Sequence, residues 1–217
     1  MTKVNLPIEK MASAKTNWSD LSVSAIALAI TESAKNFTGL TVVIAGSANE
    51  VDAYASSINF FSHGHDLPLY RLPDWETLPY DIFSPHQDIV SERLSTLSQL
   101  SAVSQGILVI SVQTMMHRLI PTDFVASRTF LHRVGDICNR EKFMLQLEQV
   151  GYQRTDTVFN CGEYAPRGSI IDVYPMGAET PFRIDLIDDE IESLRIFDID
   201  SQRTIKKVNE LSILPAK

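Results

Sequence analysis

Residues 162–197 read GEYAPRGSIIDVYPMGAETPFRIDLIDDEIESLRIF, and this stretch decides the fold. Three short strands follow one another in it. Residues 169–174 alternate, with Ile171 and Val173 on one face and Asp172 and Tyr174 on the other. Residues 182–187 alternate more cleanly, Phe182, Ile184 and Leu186 opposing Arg183, Asp185 and Ile187; residues 191–197 supply the third strand. Pro175, Gly177 and Asp188-Asp189 provide the turn chemistry between them. Period-two alternation predicts an antiparallel sheet with one face packed and one face wet. On the middle strand the wet face carries a cation, Arg183, and an exposed aliphatic, Ile187, with Asp185 between them. That composition suits a docking surface better than a catalytic pocket. No nucleophile–base pair accompanies it.

Around this stretch the chain has 217 residues, 44% hydrophobic and 21% charged, with a mean hydropathy of −0.01. This is a globular composition with room for two small domains. No apolar run approaches the roughly 18 residues of a membrane span, and the opening MTKVNLPIEKMASAK lacks the apolar core of a secretory signal. Cys138 and Cys161 stand far apart, without C-x-x-C spacing, which fits reduced thiols of a cytoplasmic protein, a lone disulfide being the less favoured alternative. A net charge of −8 and a pI near 5.1 weigh against a sequence-independent nucleic-acid binder, which needs clustered Lys and Arg.

Taken in order, residues 1–18 are an unpatterned lead-in. Residues 19–34 carry apolar positions 23, 26, 27, 30 and 34 at helical spacing. TVVIA at 41–45 reads as a strand buried on both faces. It passes through Gly46 into Ser47-Ala48-Asn49-Glu50, a capping box opening a helix with Val51, Tyr54, Ala55, Ile58 and Phe61 on one side. A second buried strand, 107–111, enters another short helix through Ser111. Buried strand and capped helix in alternation is the grammar of a parallel α/β sheet, and P-loop folds begin this way. The turn at Ala45-Gly46-Ser47 is where a phosphate would sit. Nothing in the chain matches G-x-x-x-x-G-K-[ST], however; Lys15-Thr16 has Glu9 where the first glycine belongs. The fold is expected to be ATPase-like with no working nucleotide site.

Residues 72–100 follow. Trp75, Leu78, Pro79, Tyr80 and Phe83 form an aromatic, proline-stiffened loop, expected to seal the end of the sheet. A platform for stacked bases is the sharper alternative, disfavoured because few cations interleave with these rings. Ser84-Pro85-His86-Gln87 then gives an N-cap, a proline at N1 and a glutamine at N3, ahead of a buried stripe of Val90, Leu94 and Leu97. Beyond 121–130 the pattern changes. Residues 128–134 are strand-like, and Asn139 caps a helix carrying Phe143, Leu147 and Val150 that Gly151 ends. After it the chain is mostly strands. The switch predicts two domains, 1–126 and 127–217: a degenerate P-loop or helicase-like α/β unit, then a smaller β-rich α+β unit.

The run PDWETLPYDIFSPHQDIVSERLSTLSQL resembles the amino-terminal region of the bacterial transcription-repair coupling factors, the Mfd family. So do ILVISVQTMMHRL, GEYAPRGSIIDVYPMG, PFRIDLIDDEIESLRIFDIDSQRT and the closing LSILPA. The resemblance covers about residues 40–215. Members are far longer, with a polymerase-interaction domain and a helicase-type motor, so this chain resembles an amino-terminal fragment. That region is in turn similar to domains 1a and 2 of the repair helicase UvrB, with the second unit binding UvrA, the damage-recognition subunit. UvrB also has a P-loop and a long DNA-inserting hairpin. Here the P-loop is absent, and the segment after Trp75 is short and poor in tyrosine, so neither ATP hydrolysis nor damage probing is expected.

By the resemblance, the UvrA-contacting positions are Arg167 in APRGS, Arg183 in FRIDL and Ile187 in LIDDE. Ile187 stands where an aromatic is usual and would keep apolar packing without ring stacking. The competing account is that both arginines merely pair with Asp185, Asp172 or Glu192 on a solvated sheet, where such pairs contribute ~0–1 kcal/mol. Asp188-Asp189-Glu190 and His63-Gly64-His65 invite a metal but read as a hairpin tip and a loop; Glu163 and Asp172 form no recognisable acid–base pair. Cys138 and Cys161 read as plain thiols.

The expected function is therefore a non-catalytic module that recruits UvrA and connects stalled RNA polymerase to nucleotide excision repair. No catalytic residue, cofactor or metal is expected in this chain. ATP and magnesium belong to the motor of the longer relatives, and RNA polymerase and double-stranded DNA are met by their other domains. The chain is expected to be cytoplasmic, monomeric and without membrane contact. Two rivals remain: a nucleotide-dependent, DNA-binding helicase-like enzyme, and a structural spacer with no partner.

Overall fold

Ser22 opens the first helix: its hydroxyl accepts the Ala25 N–H at 3.3 Å, and α1 runs Val23–Lys35. The computed structural model of the protein describes residues 17–77, 82 and 84–217. Nearly all of the lead-in, Lys15-Thr16, and Leu78, Pro79, Tyr80 and Phe83 of the aromatic loop lie outside the described residues. After α1 come β1 (Leu40–Ala45), α2 (Ala48–Ser62) and β2 (Leu69–Arg71). Helix α3 (Gln87–Leu100) follows, then β3 (Gly106–Ser111) and α4 (Val112–Met115).

The chain divides into two compact units. The first takes the residues through Asp74 and Ala102–Arg118; the second takes Trp75–Ser101 and Leu119–Lys217. The chain thus passes between the units three times, after Asp74, Ser101 and Arg118, where a single cut after residue 126 was expected, because α3 packs with the later residues. Leu94 of α3 lies in the second unit's core, and Gly177 donates its N–H to Ser91 at 2.7 Å. Helix α3 also begins later than its signals imply. His86, not Ser84, is the N-cap, its ring nitrogen accepting the Asp88 N–H.

The first unit is a three-stranded parallel sheet in the order β1-β3-β2, with β3 buried along its whole length. Val51 and Ile58 of α2 and Ala27 and Ala34 of α1 pack with Val43, Ile107 and Val109. Strand β1 departs from expectation. It is an edge strand, and while Val43 and Ala45 are buried, Val42 and Ile44 are about half exposed, at 48% and 51%. At the β1–α2 turn Ser47 caps α2, accepting the Glu50 N–H at 3.3 Å. The Glu50 carboxylate folds back and accepts the Gly46 N–H at 2.9 Å.

The second unit adds α5 (Thr122–Ser127), β4 (Phe130–Arg133) and α6 (Arg140–Gln149). Seven strands complete it: β5 (Gln153–Arg154), β6 (Glu163–Arg167), β7 (Ile170–Val173), β8 (Phe182–Ile187), β9 (Glu190–Phe197), β10 (Thr204–Val208) and β11 (Glu210–Ile213). Six of the strands form one sheet in the order β10-β9-β8-β7-β6-β5, antiparallel except at β5–β6; β11 returns to pair with β4. Phe143 and Leu147 of α6 lie against Ile171, Val173, Ile184, Leu186, Ile191 and Leu194, the core face read from the alternation. Asn139 caps α6 as predicted, accepting the Lys142 N–H at 3.1 Å.

The face expected to be wet is dry at its centre. Val158, Ala165 and Phe197 are fully buried there with Tyr174 against them, and so is Asp172. The cause is the 155–160 loop. Glu163 holds it through the Phe159 and Asn160 N–H groups, at 2.8 and 2.9 Å, and the Asn160 side-chain amide, at 3.0 Å.

Candidate protein-binding face of the second sheet

Strand register places the three candidate residues. Arg167 pairs with Ile170, Ile170 with Asp185, and Asp185 with Ser193. Arg183, Asp185 and Ile187 alternate along β8 on that same face, since directly opposed residues share a face of the pleat. One row over, Asp172 faces Arg183, Arg183 faces Arg195, and Arg195 faces Lys207. Arg167, Arg183 and Ile187 therefore belong to a single sheet face.

Each is held differently. Arg167 is exposed and grips the 155–160 loop: Nε and Nη2 donate to the Asp156 carbonyl at 3.3 and 3.0 Å, and Nη2 to Thr157 Oγ1 at 2.8 Å. Gly168, at φ +60°, supplies the turn from β6 to β7 just beyond it. Arg183 is sunk into the sheet. It makes a bidentate pair with Asp172 at 2.7 and 2.8 Å, donates to the Gln202 carbonyl at 3.3 Å and lies 4.7 Å over the Phe197 ring. Hydrogen bonding to Asp172 raises its affinity for the proton against the opposing effect of burial. Ile187 is 57% exposed at the end of β8.

Arg183 and Arg195 stand directly opposite each other, a like-charge pairing that costs stability unless neutralised. Each has its own acid. Asp172 serves Arg183, and Asp185 accepts from Arg195 and from the Ser193 hydroxyl. Of the partners weighed from sequence, Asp172 takes Arg183, while Arg167 reaches backbone and a threonine instead. The Gln202 carbonyl, the Phe197 ring and the Asp156–Thr157 loop carried no sequence signal, because each comes from a turn or strand distant in the chain.

Asp188-Asp189 is the hairpin turn between β8 and β9, both residues at positive φ, as a two-residue hairpin requires. Among the described residues no three His, Cys, Asp or Glu side chains assemble to hold a metal. Cys138 and Cys161 are buried free thiols; burial, reinforced by Asp189 and Asp136, pushes Cys138 up to about 11. Burial raises Cys161 as well, so both thiols move away from the reactive range. No helix among the described residues is long and apolar enough to cross a membrane.

A mixed-charge sheet face with an aliphatic at its end has the composition of a protein-interaction surface. Residues 131–217 match the UvrB interaction domain. The chain belongs to the family of transcription-repair-coupling factors, as a segment of one. It is 43% identical over 91% of its length to the transcription-repair-coupling factor of Escherichia coli, 42% over 88% to that of Haemophilus influenzae, and 33% over 81% to that of Myxococcus xanthus. It spans 17%, 16% and 15% of those chains respectively.

Proposed function

We propose that the second unit is a docking module for UvrA, and that the face bearing Arg167, Arg183 and Ile187 meets it. The observation that carries this reading is the register. Three residues separated by up to 20 positions in sequence come to one sheet face, inside the segment that matches the UvrB interaction domain. In the longer proteins of the family the module would bring UvrA to a lesion at which a motor has displaced stalled RNA polymerase. Polymerase, DNA, ATP and magnesium are then the business of other segments, and this one works in the cytoplasm without a cofactor.

The first unit fits a P-loop-derived domain that has lost its nucleotide. The Gly46 N–H at the start of α2, which a phosphate would need, is engaged by the Glu50 carboxylate. A phosphate there would meet a like charge as well as a missing donor.

The test is calorimetric titration of the chain with purified UvrA, beside Arg167→Glu. Binding by the unmutated chain, lost in the variant with its melting temperature unchanged, supports the reading. Undiminished binding by the variant moves the interface off this face. No binding by the unmutated chain removes UvrA as the partner.

A further inference from the structure

Ile137 is 78% open to solvent, and it lies beside the candidate face. Segment 135–138 adds to the sheet along the first residues of β9: Ile191 donates its N–H to Asp136 at 2.9 Å, and Cys138 donates to Asp189 at 2.6 Å. These bonds set Ile137 directly across from Glu190. Glu190 in turn faces Ile187 on its other side. Directly opposed residues share a face, so Ile137, Glu190 and Ile187 form one row, the two isoleucines about 10 Å apart across the carboxylate.

The row is held in place before anything binds. The Asn139 amide donates to Asp189 at 2.9 Å, while the oxygen of the same side chain caps α6, so the hairpin turn and the helix start are tied together. Two exposed isoleucines on a fixed frame are anchors whose ordering cost has been met in the fold. The carboxylate between them, with Asp188 and Asp189 in the adjoining turn, calls for a cation on the other side.

We propose that Ile137 and Ile187 act as a pair of apolar prongs that straddle a basic side chain of UvrA, with Glu190 receiving it. This rests on the UvrA reading above and deepens it, extending the face from the arginines to a residue outside the β-strands. The contact is continuous with that face through Ile187.

The experiment titrates UvrA with the whole chain and with Ile137→Ala, Ile137→Asp, Glu190→Gln and Ile205→Ala, each checked by thermal melting. Ile205, an isoleucine on β10 that is 58% exposed, as Ile187 is to 57%, serves as the control. Expected are about tenfold weaker binding for Ile137→Ala, a larger loss for Ile137→Asp, and no change for Ile205→Ala. Glu190→Gln should weaken binding several-fold and flatten its dependence on salt between 50 and 300 mM, about as a lost charge contact does. Ile137 variants that bind like the unmutated chain, while Arg167→Glu does not, overturn this inference and leave the UvrA reading standing. Failure of the unmutated chain to bind overturns both.

Discussion

Asp172 and Arg183 face each other in the register of β7 and β8 and close as a bidentate pair, with the carboxylate 1% exposed and the guanidinium 15%. A residue that the family resemblance marks for partner contact is thus also a structural member of its own sheet. Asp172 sits on a strand whose other neighbours on that face, Ala165 and Phe197, are buried and apolar. Removing its cation leaves a charge with no water to turn to.

The first prediction follows. Arg183→Met should cost about 3 kcal/mol or more in urea unfolding, since stripping one member from a buried pair exposes the full desolvation penalty of the other. The double variant Asp172→Asn/Arg183→Met should cost clearly less than the sum of the singles. A single-variant cost below about 1 kcal/mol would show a pair screened by solvent. Loss of UvrA binding by any Arg183 variant therefore has to be read beside its stability.

Arg167 behaves the other way. It is exposed and holds one carbonyl and one hydroxyl of a loop that Glu163 also secures. Arg167→Ala should change unfolding stability by less than about 1 kcal/mol, yet weaken UvrA binding by about 2 kcal/mol, the scale of an arginine hot spot. Calorimetry and melting on one preparation measure both.

Much of the second sheet was legible because alternation in 169–197 states which residues share a face. Phe182, Ile184 and Leu186 are core for that reason, and the cap at Asn139 is equally local. What alternation cannot state is what covers the opposite face. Val158 reaches Ala165 and Phe197 from a loop with no period, and the carbonyl that receives Arg183 belongs to Gln202, a left-handed turn residue at φ +58°. The pairing of β4 with β11 spans about eighty residues and leaves no local trace. The apolar run of β1 misled for a related reason: continuous hydrophobicity marks a strand capable of burial on both faces and does not say that something lies over both.

That strand yields a prediction. Ile44→Thr, on the open side of β1, should alter stability by no more than about 0.5 kcal/mol. Ile107→Ala, in the buried central strand, should cost about 2–5 kcal/mol. Ile107 is 1% exposed and Ile44 51%, so the two differ in surroundings far more than in chemistry. Equal costs in chemical denaturation would mean that β1 is covered on both sides.

Tyr152 is a fastening that no motif announced. Its hydroxyl accepts the Met176 N–H at 2.9 Å and donates to the Leu214 carbonyl at 2.8 Å, joining three distant segments inside the core. Burial drives its ionisation well above the ordinary range for a tyrosine. Tyr152→Phe keeps the ring and strands both backbone groups, so about 1–3 kcal/mol should be lost. Affinity for UvrA, measured below the new melting temperature, should stay the same.

Glu163 links pH to the candidate face. Burial alone would raise its carboxyl, but the hydrogen bonds from Asn160 and the Phe159 and Asn160 N–H groups outweigh burial and hold it below the usual range. A group whose folded pKa is depressed contributes stability that is complete above its unfolded pKa, about 4.3 for a glutamate, and that fades as pH falls through the folded value. Glu163→Gln should therefore melt below the unmutated chain at pH 6, and the gap should close as pH drops beneath about 4. Because this carboxylate pins the loop that Arg167 grips, the same variant should also weaken UvrA binding at pH 6 without touching the interface. A melting gap that stays constant from pH 6 to 3 would place the loop's support elsewhere.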